Sequence, residues 1–185
     1  MKFKRVYPAK NGGELLIRSL GDMDAEQALS VFRQTAGETL NMMRYPDEWT
    51  MTIEQQKAFI RKAEDGAKAL LLGAFAGGRL AGMAHFMPVS PVDRARHRAG
   101  VGLVVCRAYW RQGIGSALME SLIEAARTTN IEQLELDVVE TNEGAIALYQ
   151  KYGFEPYGRH PQMIKYRDGR YADTLLMMLD LRRKP

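Results

Sequence analysis

The sequence predicts a single α+β domain built on a mixed, mostly antiparallel sheet flanked by helices, with one parallel strand pairing. Three observations lead there. The chain has 185 residues, 46% hydrophobic and 26% charged, an ordinary globular balance at a length that suits one domain. Strand-like and helix-like segments are segregated in the first half, which is the α+β pattern. In the second half they alternate strand, helix, strand, helix, an order that implies a parallel pairing.

Residues 1–13 read as an N-terminal extension and residues 14–185 as the domain proper. Residues 14–20 are rich in Leu and Ile and read as a first strand. Gly21-Asp22 opens a helix through about Thr35, with Ala25, Ala28, Leu29 and Phe32 at helical spacing. Residues 39–50 are Met-rich, aromatic and interrupted by Pro46, as a loop between helices is. Thr52 and Gln55 make a capping box for a helix over 53–64. Gly77-Gly78 joins apolar runs at 68–76 and 79–89, a two-residue hairpin signal. A loop over 90–98 precedes another apolar strand at 99–106. Next comes an amphipathic helix over 115–128, with Ala117, Leu118, Leu122 and Ala125 inward. A strand at 134–139 leads to a helix over 142–152, stopped by Gly153 with Phe154 placed for the contact that follows a glycine C-cap. The last hairpin turns at Asp168-Gly169 and closes with a strand over 174–181.

Composition narrows the function classes. Lys and Arg number 26 against 22 Asp and Glu, a net +4 that is interspersed, so no nucleic-acid partner is expected. The longest clean apolar run, residues 69–76, is far short of the ~20 that span a bilayer, so no membrane partner is expected either. The one cysteine, Cys106, leaves no internal disulfide or Cys-rich zinc site and fits a reducing, cytoplasmic compartment. His85, His97 and His160 lack ligand spacing, so no metal is expected.

The chemistry centres on the turn Trp110-Arg111-Gln112-Gly113-Ile114-Gly115-Ser116, which lies between an apolar strand and a helix. Glycines let the backbone pass close to a ligand, and the N–H groups of a first helical turn form an anion site. A phosphate or pyrophosphate is the natural guest; a tight turn with a solvated helix start is the plainer reading. No Gly-Lys-Ser/Thr is present, which excludes a P-loop. A dinucleotide fingerprint needs a small residue where Leu118 stands, although Glu135 and Asp137 lie near the ribose-acid distance.

Residues 108–118, AYWRQGIGSAL, resemble the acetyl-CoA loop of the GNAT superfamily of N-acetyltransferases, and residues 140–155, ETNEGAIALYQKYGFE, resemble that family's following helix. The blocks stand in the family's order, and the resemblance covers nearly the whole chain from Glu14. It implies a GNAT-like fold and a transfer of acetyl from acetyl-CoA to the primary amine of a small molecule. A protein or peptide amine is the alternative acceptor, and an acetyl-CoA sensor without turnover is the alternative role. The resemblance implies that backbone groups of Leu103, Val104 and Val105 align the pantetheine arm and polarise the acetyl carbonyl. It likewise implies that Arg111, Gln112, Gly113, Ile114, Gly115 and Ser116 grip the pyrophosphate. Asn142 then holds the pantetheine, and Tyr149, seven residues on along one helical face, protonates the departing sulfur. By spacing alone, Asn142 reads as an N-cap and Tyr149 as a packed aromatic.

The family pattern is also departed from. Trp110 fills a slot that is usually Arg or Gln, and Arg111 stands where glycine is common. Many relatives keep a glutamate on the strand before the loop, and here Gly100 holds that slot. Glu38 is the substitute candidate for a base or an amine anchor, against the reading of an exposed helix-end carboxylate. His85 has a suitable intrinsic pKa, though a lone strand histidine is more often structural. Met42, Met43, Met87, Met163, Met177 and Met178 suit an adaptable apolar wall, with core filling the plainer reading for Met177 and Met178. A homodimer is the family's habit.

Overall fold

A computed structural model describes residues 2–9, 13–66 and 68–183. Its strands are β1 (Lys4–Pro8), β2 (Glu14–Ser19), β3 (Leu70–Ala76), β4 (Arg79–Pro88), β5 (Arg98–Val105), β6 (Gln133–Val139), β7 (Glu155–Lys165) and β8 (Tyr171–Asp180). The helices are α1 (Ala25–Glu38), α2 (Ile53–Asp65), α3 (Ile114–Ala126) and α4 (Glu143–Lys151). The strands form one sheet in the order β1-β2-β3-β4-β5-β6-β8-β7. Every pairing is antiparallel except β5 with β6. The α+β class and the single parallel pairing are as the sequence predicts.

Local signals place most elements. Gln55 N–H donates to Thr52 Oγ1 at 3.2 Å and Thr52 N–H to Gln55 Oε1 at 2.8 Å, the reciprocal box that starts α2. Gly77 and Gly78 take φ of +55° and +78°, which matches the right-handed twist of the flanking strands. Two differences stand out. Lys4–Pro8 is an added edge strand paired with β2. It is almost wholly exposed and shows no apolar alternation, so sequence periodicity carries no sign of it. Helix α1 runs three residues beyond the expected end, to Glu38, and contacts described below hold that last turn.

The sheet is covered on both faces, which is why Leu70–Ala76 is buried almost throughout instead of alternating. Leu72, Ala84, Phe86 and Leu134 share one core with Leu118 and Leu122 of α3 and with Tyr149 of α4. Leu71 and Met83 point the other way, into a core with Val31 of α1 and Ile60 of α2.

The feature that makes a site is the shortness of the parallel pairing. Arg98, Ala99 and Gly100 face Gln133, Leu134 and Glu135, and the β5–β6 register ends there. Strand β5 stays with β4 as far as Val105, opposite Gly82, and β6 stays with β8 along its whole length. Each strand keeps its antiparallel partner, the slightly stronger pairing per residue, at the expense of the parallel one. Residues 101–105 therefore border an opening.

Candidate active site

The turn after β5 leads directly into α3. Gly113 is the N-cap of α3, with φ 88° and ψ −2° and no side-chain cap. That left-handed backbone suits glycine, and a Cβ there would meet nothing within 4 Å, so the space in front of the helix is clear. The first N–H groups of α3 have no intrahelical acceptor. An anion in that space meets a ring of donors and the positive end of the dipole. Arg111 also takes a left-handed φ, of 59°, in the slot where relatives favour glycine. Trp110 donates its indole N–H to the Val105 carbonyl at 2.7 Å, and Gln112 donates to the Ala108 carbonyl at 2.9 Å. Those bonds occupy one predicted backbone acceptor and one predicted side chain. Ile114 is a core residue. At Gly115 a Cβ would stand 3.2 Å from Leu148, so this glycine lets α3 and α4 approach closely. The Ser116 carbonyl accepts from the Tyr152 hydroxyl at 3.0 Å, a bond that ties the end of α4 to the first turn of α3.

On α4, the Asn142 side chain caps the helix, accepting from Ala145 N–H at 3.4 Å. Tyr149 is 7% exposed and packs at 5.9 Å, tilted, against Phe154. Burial pushes its phenol up to about 12, so it stays protonated across the physiological range.

Glu38 lies elsewhere. One carboxylate oxygen accepts from Gln34 at 2.7 Å and the other from the Arg107 backbone N–H at 2.7 Å. Both oxygens are engaged in joining the end of α1 to the residues just past β5. The neighbouring Cys106 thiol is buried, and burial, helped by the Glu38 charge, pushes it up to about 11.

A cleft of about 450 Å³ opens at the β5–β6 divergence, lined among others by His85, Met87, Gly100, Glu135, Asp137 and Tyr157. His85 and Met87 follow Met83 in alternation along β4, so the cleft is on the α1/α2 face, opposite α3. Gly100 and Gly102 leave β5 bare here. The His85 ring rests on Gly102, where a Cβ would come within 2.3 Å of its Cε1. Glu135 stands across from Gly100. Its carboxylate is gripped by the Arg98 guanidinium, through Nε and through Nη2 at 2.5 Å, and it accepts from Gln133 at 2.7 Å. Asp137 lies 3.6 Å from His160 Nδ1. Arg167 bonds Asp47 at 2.7 Å and its backbone N–H donates to the Tyr45 hydroxyl at 2.9 Å. Those bonds tie the β7–β8 turn to the segment after α1.

The sequence reading did not assign Glu135 to an acceptor site. The alternation Leu134-Glu135-Leu136-Asp137-Val138 does put both acids on one face. Their position beside Gly100 depends on a strand pairing that only the fold supplies. Among the described residues no group of three or more His, Cys, Asp or Glu is arranged to hold a metal. No helix among them is long and apolar enough to cross a membrane.

Fold and site together define a class: a mixed sheet whose one parallel pair parts over the start of a glycine-led helix. Residues 35–154 match the model of the acetyltransferase (GNAT) family. The chain belongs to that family. It is 24% identical over 165 residues, 89% of this chain and 94% of the relative, to the L-methionine sulfoximine/L-methionine sulfone acetyltransferase of Pseudomonas aeruginosa. A GNAT-family acetyltransferase structure from Streptococcus pneumoniae superposes with a TM-score of 0.85 at 30% identity, covering 90% of this chain and 98% of that one. A putative acetyltransferase from Salmonella typhimurium, solved with acetyl-CoA, shares the fold with a TM-score of 0.82 at 20% identity, covering 92% and 96%.

Proposed function

We propose that the protein moves an acetyl group from acetyl-CoA to a primary amine of a small molecule, by direct attack and without an acyl-enzyme. The observation that carries this reading is the opening between β5 and β6 together with the uncapped start of α3, the helix that follows β5. The clear space at Gly113 suits a pyrophosphate, and the bare edge of residues 101–105 suits an extended, amide-bearing arm. Acetyl-CoA supplies an activated thioester carbonyl. Backbone N–H groups at Gly113, Gly115 and Ser116 receive the pyrophosphate, with Arg111 and Gln112 framing the turn. Leu103 and Val104 align the arm along β5, and Asn142 holds it at the head of α4. Tyr149 keeps its proton and hands it to the departing sulfur. The acceptor enters from the opposite face, through the cleft beside Gly100, so two sites on two faces meet at one opening. The methionine sulfone and sulfoximine named for the Pseudomonas relative support a small amino-acid-like acceptor.

The test is thiol release from acetyl-CoA with methionine sulfone, methionine sulfoximine, spermidine and a short peptide with a free N-terminus. Acetylation of a small amine is the expected result. Acetyl-CoA binding without thiol release on any amine would mark a sensor instead, and turnover on the peptide alone would mark a protein acetyltransferase.

A further inference from the structure

We propose that His85 is the general base of this site, taking the proton of the acceptor amine from β4 in place of the carboxylate that relatives carry on β5. This rests on the acetyl-transfer reading above. Four observations support it. His85 lines the cleft on the acceptor face. Its ring lies on Gly102, whose added Cβ would come within 2.9 Å of Nε2 and 3.0 Å of Nδ1 as well as touching Cε1. Glycine at 102 is therefore what admits the imidazole over β5. Strands lie about 4.8 Å apart, so a ring over β5 is within one strand spacing of the β5–β6 opening.

The third observation is its state. His85 makes no hydrogen bond among the described residues, and burial alone lowers its pKa below 6.5. At neutral pH it is an imidazole with a free lone pair, able to accept a proton. The fourth is the absence of a better-placed rival. The titratable groups around the cleft are Glu135 and Asp137 on β6, Tyr157 on β7 and Arg98 on β5; on β3, His85 faces Leu71. Glu135 is held by Arg98 and Gln133, Asp137 faces His160, and both oxygens of Glu38 are taken. Gly100 and Gly102 thus belong together: one leaves the strand without a carboxylate and the other makes room for a base.

The protons balance. The ammonium gives one proton to His85, which passes it to solvent, the single net proton of the reaction. The neutral nitrogen bonds to the acetyl carbon, and the carbon–sulfur bond breaks. The second nitrogen proton leaves to solvent as the amide forms, and Tyr149, having given its own proton to sulfur, takes one back from solvent, so one net proton is released.

His85→Gln keeps the side chain's bulk and hydrogen-bonding capacity. With the fastest amine of the panel, kcat/KM should fall roughly 10²-fold while acetyl-CoA affinity stays within about twofold. The acid-side fall in kcat/KM, centred below pH 6.5 in the parent, should vanish. Gly102→Ala should reproduce the loss by displacing a histidine that is still present. NMR gives a readout apart from turnover. The ring resonance lost in His85→Gln should titrate below 6.5 and move when acetyl-CoA is added. A His85→Gln enzyme with the parent's rate and acid limb, or a resonance untouched by acetyl-CoA, overturns the assignment. If the parent itself acetylates no amine, the acetyl-transfer reading fails first, and the two failures are told apart.

Discussion

The two halves of β5 live under different rules. From Arg98 to Gly100 the strand has neighbours on both edges, and the Arg98–Glu135 pair locks it to β6. From Val101 to Val105 it has β4 alone. The closed half is bought with a charge pair that is nearly out of solvent at Glu135. The open half leaves peptide groups without a strand partner, a cost that persists in folds where something else is to pair with them. A paired half and an open half thus stand side by side on one strand, and substitutions in the two should fail in different ways.

The largest difference is expected next to the open half. Tyr149→Phe keeps the ring and its packing against Phe154, so acetyl-CoA affinity should hardly change while kcat falls about 10²–10⁴-fold. Such a split marks an interaction made mainly in the transition state. Tyr152→Phe is the comparison: it removes the bond to the Ser116 carbonyl and should cost about 1 kcal/mol of stability with far less loss of rate. The Tyr149 phenol is pushed up to about 12 when folded, against about 10 unfolded. Its neutral form favours the fold fully below pH 10, and that contribution is lost as pH rises from 10 towards 12. Melting between pH 9 and 11 should therefore drop more steeply in the parent than in Tyr149→Phe.

The closed half should break as a fold. Arg98→Ala strands the Glu135 carboxylate, 9% exposed, with Gln133 as its remaining partner. A loss of about 2 kcal/mol in denaturant unfolding is expected, below the full figure for a buried pair because Arg98 is partly exposed. Glu135→Gln with Arg98→Gln should recover much of it, since neither charge is then left alone. Equal melting of Arg98→Ala and the parent would show that the parallel pairing does not depend on this pair.

The smallest effect sharpens the binding side. Gly113→Val forces a branched residue into φ 88° beside the clear space, and Gly115→Val pushes on Leu148 at 3.2 Å. Each should weaken acetyl-CoA by about tenfold in calorimetry, roughly 1.4 kcal/mol. Gly115→Val should also lower the melting temperature, because its contact is with α4. Folded variants that bind acetyl-CoA like the parent would remove the turn from the phosphate site.

Some of this was written locally. The Thr52–Gln55 box, the Gly77-Gly78 turn, the Gly153 stop and the glycine turn before α3 each depend on residues within a few positions of one another, and they fold as read. The family resemblance was legible for the same reason, because the glycine turn and the helix of residues 140–155 are contiguous stretches. Lys4–Pro8 carries no periodic signal, since an edge strand with exposed side chains has no buried face to print one. Glu38 reads in sequence as a candidate base or an exposed helix-end carboxylate, and its bond from the Arg107 N–H spans 69 positions that no local window joins.

What the sequence by itself determined is most of the elements, the class of fold and the turn that suits a phosphate, all products of short-range backbone preference and apolar period. Only the tertiary structure decided which groups line the cleft. His85 rests on Gly102 and Glu135 stands across from Gly100 because β4, β5 and β6 are neighbours in the sheet. Strand neighbours are chosen by the burial of two whole faces at once, and no window of sequence contains that choice.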